Sequence, residues 1–212
     1  QMAFDNPSHL RFFALFVGAD AEESGQRPLF VNPYSFCEMS QIFDSVCFDF
    51  DDKRQCMLSK ALIETNVSIQ QVEKALTYLF PDDNYASRRE ITKDNLAALI
   101  VCGRELGIPS ILRDIEMFME DQLLPEIIHN FPVDVLVEAV LEIQITPSIR
   151  PSALERVYKK IASWGRYHPE KVIRKYPREI GDRLFQAVNQ HMPKWIRIGP
   201  SSPATPAQRL FF

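Results

Sequence analysis

The chain has 212 residues, of which 46% are hydrophobic and 11% aromatic, and its formal net charge is −4. This composition excludes a disordered or fibrous protein and provides enough apolar surface for one large domain or two small ones. No apolar run approaches the roughly 20 residues that span a bilayer, and the first residues, QMAFDNPSHL, lack the basic flank and apolar centre of a secretory signal. We therefore expect a cytoplasmic or nuclear protein with no membrane partner.

Charge is distributed unevenly along the chain. Residues 1–149 contain eleven Lys and Arg against twenty-four Asp and Glu, a net charge of −13, whereas residues 150–197 contain twelve against four, a net charge of +8. Such asymmetry can indicate an anionic partner for the basic part, or an attraction between two parts of the same chain. We favour the attraction, because the basic residues are interleaved with acids and apolar positions.

Two strands and a helix are predicted near the start of the chain. Residues 10–17, LRFFALFV, are aromatic and rich in strand formers, a polar stretch follows from Gly18, and residues 28–31 are apolar again. This pattern predicts a strand, a loop and a second strand. Asn32 and Pro33 then predict the start of a helix in VNPYSFCEMSQIFDSVCF, because asparagine caps the first unpaired amides and proline needs no hydrogen-bond partner there.

The middle of the chain is predicted to be mostly helical. Residues 46–57 have the pattern of a loop that can include one strand, and Asn66 is expected to cap the amphipathic helix SIQQVEKALTYLF. Further on, Gly107 can close one helix and Pro109 can begin the next, so ALIVCGRELGIPSILRDIEMFM predicts a helical hairpin with apolar stripes.

Two stretches carry a family resemblance. One is YLFPDDNYASRREITKDNLAALIVCGRELGIPSILRDIEMFM, in which an aromatic helix end, a loop and an Ile-Thr-x-x-Asn start precede the helical hairpin. The other is FVNPYSFCEMSQIFDSVCF, with Phe36, Ser40, Phe43 and Phe48 at spaced positions of two helices. Together they resemble a BTB/POZ domain over residues 8–124. The resemblance implies an α+β, mostly helical fold, with a small sheet flanked by helical hairpins.

A second resemblance lies in the basic part of the chain. In PSALERVYKKIASWGRYHPEKV, apolar residues share one helical face and His168 precedes a Pro-Glu helix start; the face consists of Leu154, Val157, Tyr158, Ile161 and Trp164. This pattern is similar to the BACK region that often follows BTB domains. We therefore expect a short BACK-like region of four or five helices over residues 125–192, followed by a proline-rich tail at 198–212.

The resemblance also implies candidate contact residues. BTB adaptors that recruit a cullin-3 scaffold use an apolar residue and an acid after the second helix, and Phe50 and Asp52 occupy that place here; the alternative is a solvated acidic loop. The family dimerises through its first strand and first helix. Phe12, Phe13 and Phe16 are therefore candidates for a homodimer interface, unless they face the protein's own core.

The basic part and the tail contain the remaining partner-binding candidates. An acidic peptide or a nucleic-acid backbone could contact the basic residues of this part, although we favour a solvated helix face; the candidates are Lys159, Lys160, Arg166, Arg174 and Lys175. The tail ends in Leu210, Phe211 and Phe212, which we expect to dock on the chain's own domain or in a neighbour's groove.

The sequence contains no pattern typical of an enzyme. Its four histidines are isolated, no phosphate-binding glycine loop is present, and the four cysteines lack the paired spacing of a zinc site. We expect no catalytic residue, metal or cofactor, and buried thiols at Cys37, Cys47 and Cys102. The leading hypothesis is a homodimeric adaptor that presents a client to a cullin-3-type ubiquitin ligase. The alternative is a self-associating scaffold or regulatory protein in a nucleoprotein assembly, without cullin binding.

Overall fold

The computed structural model describes residues 4–18, 25–51, 54–57, 60–63, 65–81, 89–122, 130–163 and 170–192. It is an α+β protein in which helices predominate over a small sheet, as the sequence predicted. The chain divides into two compact units, residues 1–112 and 113–212. This division falls within the helix Pro109–Met117, whereas the predicted boundary after residue 124 lies outside the described residues.

A three-stranded sheet lies in the amino-terminal unit, residues 1–112. The strands of this unit are β1, Phe13–Val17; β2, Leu29–Val31; β3, Phe48–Asp51; β4, Arg54–Met57; and β5, Lys60–Ile63. β1 is central, with β2 antiparallel on one side and β5 parallel on the other. A parallel neighbour requires a long crossover connection. Two helices and the β3–β4 pair supply that connection.

The predicted helix start at Asn32 is present. The Asn32 Oδ1 atom accepts hydrogen bonds from the backbone amides of Tyr34, at 3.1 Å, and Ser35, at 3.3 Å. Helix α1, Pro33–Met39, therefore begins with two of its otherwise unpaired amides satisfied.

The helical stretch is broken at Ser40, which the sequence pattern did not predict. Ser40 is extended, with φ −109° and ψ 115°, and α2, Gln41–Cys47, begins directly after it. The buried Ser40 hydroxyl donates to the Leu106 carbonyl at 2.6 Å and accepts from the Phe43 amide at 3.0 Å. One side chain therefore caps α2 and links it to the distant end of another helix.

The described residues of 46–57, predicted to form a loop that can include one strand, form the end of α2 and two paired strands. β3 and β4 pair antiparallel, with Phe48 opposite Met57 and Asp51 opposite Arg54. A strand is stabilised largely by its pairing with another strand, so a single run of alternating residues does not reveal it.

Helix α3, Ile69–Leu79, is capped by Ser68 and not by the predicted Asn66. The Ser68 hydroxyl accepts from the Gln71 amide at 3.3 Å, and Gln71 Oε1 accepts from the Ser68 amide at 2.8 Å. This reciprocal capping box satisfies two amides, so it defines the helix start better than an asparagine two residues earlier. The helix ends at Leu79, two residues before Pro81.

The predicted helix pair consists of α4, Leu96–Glu105, and α5, Pro109–Met117. Gly107 has φ +58°, the left-handed conformation expected at the end of α4. α4 packs along α3, and it meets the start of α5 at Gly103, where an added Cβ would lie 2.7 Å from Leu112 Cδ2. A glycine at this position therefore allows the close approach.

The carboxy-terminal unit, residues 113–212, is helical in its described part. α5 leads into a π-helical turn, Phe118–Gln122. The later elements are α6, Val133–Gln144; a 3-10 helix, Pro151–Leu154; α7, Glu155–Ser163; α8, Glu170–Ile173; and α9, Arg178–His191. α9 packs against α7 and α6, and α6 also contacts α7 and α8.

The apolar face predicted around α7 is largely present. Leu154, Val157 and Ile161 are buried, and Tyr158 is half-buried with its hydroxyl 3.4 Å from Gln144 Nε2. Trp164 and His168 lie outside the described residues. Burial of this face attaches α7 to the other helices of its unit.

Candidate interaction surface

Alternate residues of β1 face opposite sides of the sheet. Phe13, Leu15 and Val17 are buried, at 1%, 0% and 3% exposure. Phe12, directly before the strand, is 44% exposed, and Phe16 is half-buried on the same outer side. Two of the three aromatic candidates are therefore accessible on the outer side of the sheet.

Strand register extends this outer side with residues that the sequence analysis did not select. Phe30 of β2 lies opposite Ala14, and Leu62 of β5 lies opposite Phe16; both are half-buried. We call the set Phe12, Ala14, Phe16, Phe30 and Leu62 the apolar sheet face. The signal for Phe30 was the alternation in Leu-Phe-Val, but only the pairing register places Phe30 and Leu62 beside β1.

Phe13 is removed from the dimer candidates by its place in the core. Its ring contacts Phe43 edge to face, with 5.5 Å between ring centroids, and Phe43 in turn contacts Phe36 at 4.4 Å. Phe13 therefore follows the alternative that it faces the protein's own core, because the two-residue period of a strand sends neighbouring side chains to opposite faces. The rings of Phe13 and Phe43 lie on the core side of the sheet, opposite the apolar sheet face.

The edge of β2 is covered by the first described residues. The Phe30 amide donates to the Phe4 carbonyl at 2.9 Å, and Phe4 is 2% exposed beneath the Arg11 guanidinium. Arg27 forms an ion pair with Asp5. Since a strand edge with unpaired amides invites association, this covering leaves the apolar sheet face as the more accessible surface.

Glu73 of α3 is a buried acid beside this segment. Its side chain is 5% exposed and lies 3.6 Å from Arg27 Nη2, and its Oε1 atom has no described partner. Burial raises the pKa of the Glu73 carboxyl, Arg27 opposes that rise, and Asp5 adds to it. Through Arg27, Glu73 helps to hold the Asp5 segment against α3.

The cullin-contact candidates fall on the hairpin. Phe50 belongs to β3, opposite Gln55 of β4, so its backbone lies in a strand and not in the expected loop. Asp52 lies outside the described residues.

The basic candidates are placed as follows. Lys159 pairs with Glu155 one helical turn away, at 2.8 Å, while Lys160 is half-buried and Arg174 and Lys175 are exposed. The remaining candidates, Arg166, Leu210, Phe211 and Phe212, lie outside the described residues. Lys159 thus behaves as part of a solvated, internally paired helix face, in line with the favoured interpretation.

Arg150 joins acidic and basic stretches within the carboxy-terminal unit. Its Nε atom lies 2.8 Å from Glu116 Oε1, and its Nη2 atom lies 2.9 Å from Glu120 Oε2. The Arg150 amide also donates to Glu116 at 2.9 Å. The sequence analysis did not select these residues. Their contacts support the hypothesis that the charge asymmetry reflects attraction within the chain.

The described thiols have the properties of structural side chains. Cys47 and Cys102 are buried, whereas Cys37, predicted to be buried, is half-buried. Burial raises the pKa of Cys102 to about 12 and also raises the pKa of Cys37 and Cys47. Because the thiolate is the nucleophile, these groups are poorly reactive at neutral pH.

Among the residues that the structure describes, no group of three or more His, Cys, Asp or Glu side chains is arranged to hold a metal ion. None of the helices in that part of the chain has the length and hydropathy required to cross a membrane.

No protein-family model, curated protein or solved structure matches the chain significantly. The BTB/POZ and BACK resemblances therefore stay predictions from the sequence.

Proposed function

We propose that this chain is a non-enzymatic protein–protein interaction module of the cytoplasm or nucleus, which forms a homodimer through its apolar sheet face. The observation that carries this proposal is the row of outward-facing Phe12, Phe16 and Phe30 on the three-stranded sheet. Exposed contiguous apolar surface is typical of an interaction site, because its contact with water is unfavourable.

The proposed domains are a BTB/POZ-like domain over residues 8–124 and a BACK-like region over 125–192. Their support is the sequence resemblance together with a three-stranded sheet whose strands β2 and β5 are connected through α1 and α2. The helices of the carboxy-terminal unit are compatible with the second assignment.

A second copy of the chain is the partner that best fits the apolar sheet face. A two-fold axis brings the same aromatic side chains against each other, so one apolar patch is complementary to itself. The pairing register places Lys60 and Phe30 on either side of Ala14. These three positions contain one cation and no acid, so they lack the alternating charges that would select a different, charged partner.

Self-association is tested by sedimentation equilibrium of the full chain. Phe12→Glu is expected to raise the dimer dissociation constant by at least about tenfold, because it places a charge in an apolar contact. The matched control is Met117→Glu, since Met117 of α5 is 49% exposed and is not a member of the apolar sheet face. A wild-type monomer, or equal effects of the two substitutions, would contradict the proposal.

The leading adaptor hypothesis requires binding to a cullin-3-type scaffold. We expect purified cullin to bind the dimer and Phe50→Ala to weaken that binding, because the aromatic ring would fill the apolar pocket of the partner. The measurement is biolayer interferometry, and Asp44→Ala on the exposed side of α2 is the control. A stable dimer that does not bind cullin would instead support the second candidate function.

The second candidate is a self-associating scaffold or regulatory protein in a nucleoprotein assembly, without cullin binding. The observation that favours it is the placement of Phe50 in a paired strand, where a free loop was expected. The basic helices would then contact the assembly, with an affinity that falls as salt rises.

A further inference from the structure

A small cleft lies in the carboxy-terminal unit where three elements meet. The π-helical turn contributes Met119 and Glu120, the 3-10 helix contributes Ser152 and Ala153, and α7 contributes the remaining lining residues, Glu155, Arg156 and Lys159. Met119 and Ala153 are almost fully buried and form an apolar floor. A π-helical turn is rare in proteins and frequently occurs at functional sites.

Most charged groups around this cleft already have partners. Glu120 Oε2 is 2.9 Å from Arg150 Nη2, and Glu155 Oε1 is 2.8 Å from Lys159 Nζ. Arg156, by contrast, makes no ion pair or hydrogen bond with any described residue. Arg156 is exposed and therefore solvated, and it is the charged side chain of the lining that is left to bind an anion entering the cleft.

The size and charge of the cleft restrict which kind of anion can bind there. Its volume is about 200 Å³, smaller than the roughly 300 to 1,000 Å³ of pockets that hold drug-sized ligands. A single side chain fits such a volume better than a cofactor does. A doubly charged phosphate would also be repelled by Glu120 and Glu155, whereas a carboxylate carries only one charge.

The walls of the cleft are held in place by the contacts of Arg150. This residue precedes the 3-10 helix and pairs with Glu116 and Glu120, so it links the start of that helix to the π-helical turn. A binding site whose walls are already ordered loses less conformational entropy when a ligand binds.

We infer that this cleft receives the side-chain carboxylate of a glutamate in a client protein, with the carboxylate on Arg156 and the methylene groups over Met119 and Ala153. The Ser152 hydroxyl, which has no described partner, supplies a further donor. The inference rests on the proposed interaction-module function, because it identifies the chemistry by which the module recognises a client.

The test is a ¹H–¹⁵N NMR titration of the full chain with an acetylated, amidated peptide, Ala-Leu-Glu-Leu-Ala. Saturating shifts are expected at the amides of Glu120, Ser152 and Arg156, and the matched peptide with glutamine should produce none. Arg156→Ala should raise the dissociation constant by about tenfold, as expected for a lost charge-assisted hydrogen bond. The control is Arg183→Ala, another exposed cation, on α9.

Several outcomes would overturn the inference. They are equal shifts with the glutamine peptide, tighter binding of a phosphoserine peptide, tighter binding of a peptide whose only carboxylate is its terminus, or equal effects of the two arginine substitutions. Ser152→Phe, which fills the cleft from an exposed position, should also abolish the shifts. Sedimentation of the same samples separates the two proposals: a monomeric chain that still binds the peptide contradicts the dimer and leaves the cleft assignment intact.

Discussion

A single hydroxyl determines how the helical stretch after β2 is divided. Ser40 is fully buried, and its side chain both caps α2 and bonds the Leu106 carbonyl. Serine in a helical stretch can instead bond nearby backbone groups and interrupt the helix. At the residue scale, the buried Ser40 hydroxyl therefore helps to determine where α2 begins, which the surrounding apolar residues do not.

Replacement of this hydroxyl gives the first stability prediction. We expect Ser40→Ala to lower the free energy of unfolding by about 1 to 3 kcal/mol, because a buried carbonyl and an amide both lose their partner. Urea denaturation measures the change. Ser45→Ala is the control, since the Ser45 hydroxyl bonds the Ile42 carbonyl at an exposed site. Equal losses for the two variants would show that Ser40 has no special role.

At the element scale, Arg150 links the end of α5 and the π-helical turn to the 3-10 helix. Its side-chain and backbone hydrogen bonds hold the pKa of the Glu116 carboxyl below its ordinary value of 4.5. A carboxyl with a lower pKa in the folded state adds stability above its ordinary pKa. That stability is lost as the pH falls through the folded-state value.

This linkage gives a pH-dependent prediction. Glu116→Gln should lower the free energy of unfolding at neutral pH, and the difference from wild type should shrink as the pH falls below 4.5. Urea denaturation over a pH series is the measurement. The control is Glu138→Gln on α6, where the carboxylate has no described partner. A difference that persists in acid would contradict the assignment.

At the scale of the whole molecule, the chain consists of two compact units with different compositions of elements. All described strands belong to residues 1–112, and the described part of residues 113–212 is helical. The aromatic cluster of Phe13, Phe36 and Phe43 lies entirely within the first unit. A unit with its own core is expected to fold alone.

A fragment of residues 1–122 tests this expectation, because it retains α5 and the π-helical turn in full. We expect far-UV circular dichroism to show helix and urea to produce one cooperative transition. A fragment of residues 1–95 is the control: it lacks α4, which packs along α3, and should not fold cooperatively. A longer fragment that binds hydrophobic dye and lacks a transition would contradict independent folding.

Features that depend on neighbouring residues were predictable from the sequence alone. The start of α1 at Asn32, the turn at Gly107 and the start of α5 at Pro109 each follow from local backbone chemistry, and the structure has all three. The mostly helical α+β class followed from the same patterns. The break at Ser40 did not, because its partner, Leu106, lies 66 residues away.

The residues of the candidate surfaces were also predictable from the sequence only in part. The aromatic and strand-forming residues of 10–17 indicated a strand, but the sequence alone did not decide which side of the sheet Phe13 would occupy. Phe30 and Leu62 joined the apolar sheet face, and Arg150 joined Glu116, only through tertiary contacts. Local sequence determines dihedral preferences and periodicity, whereas a surface is formed by distant segments whose register and packing depend on the folded core.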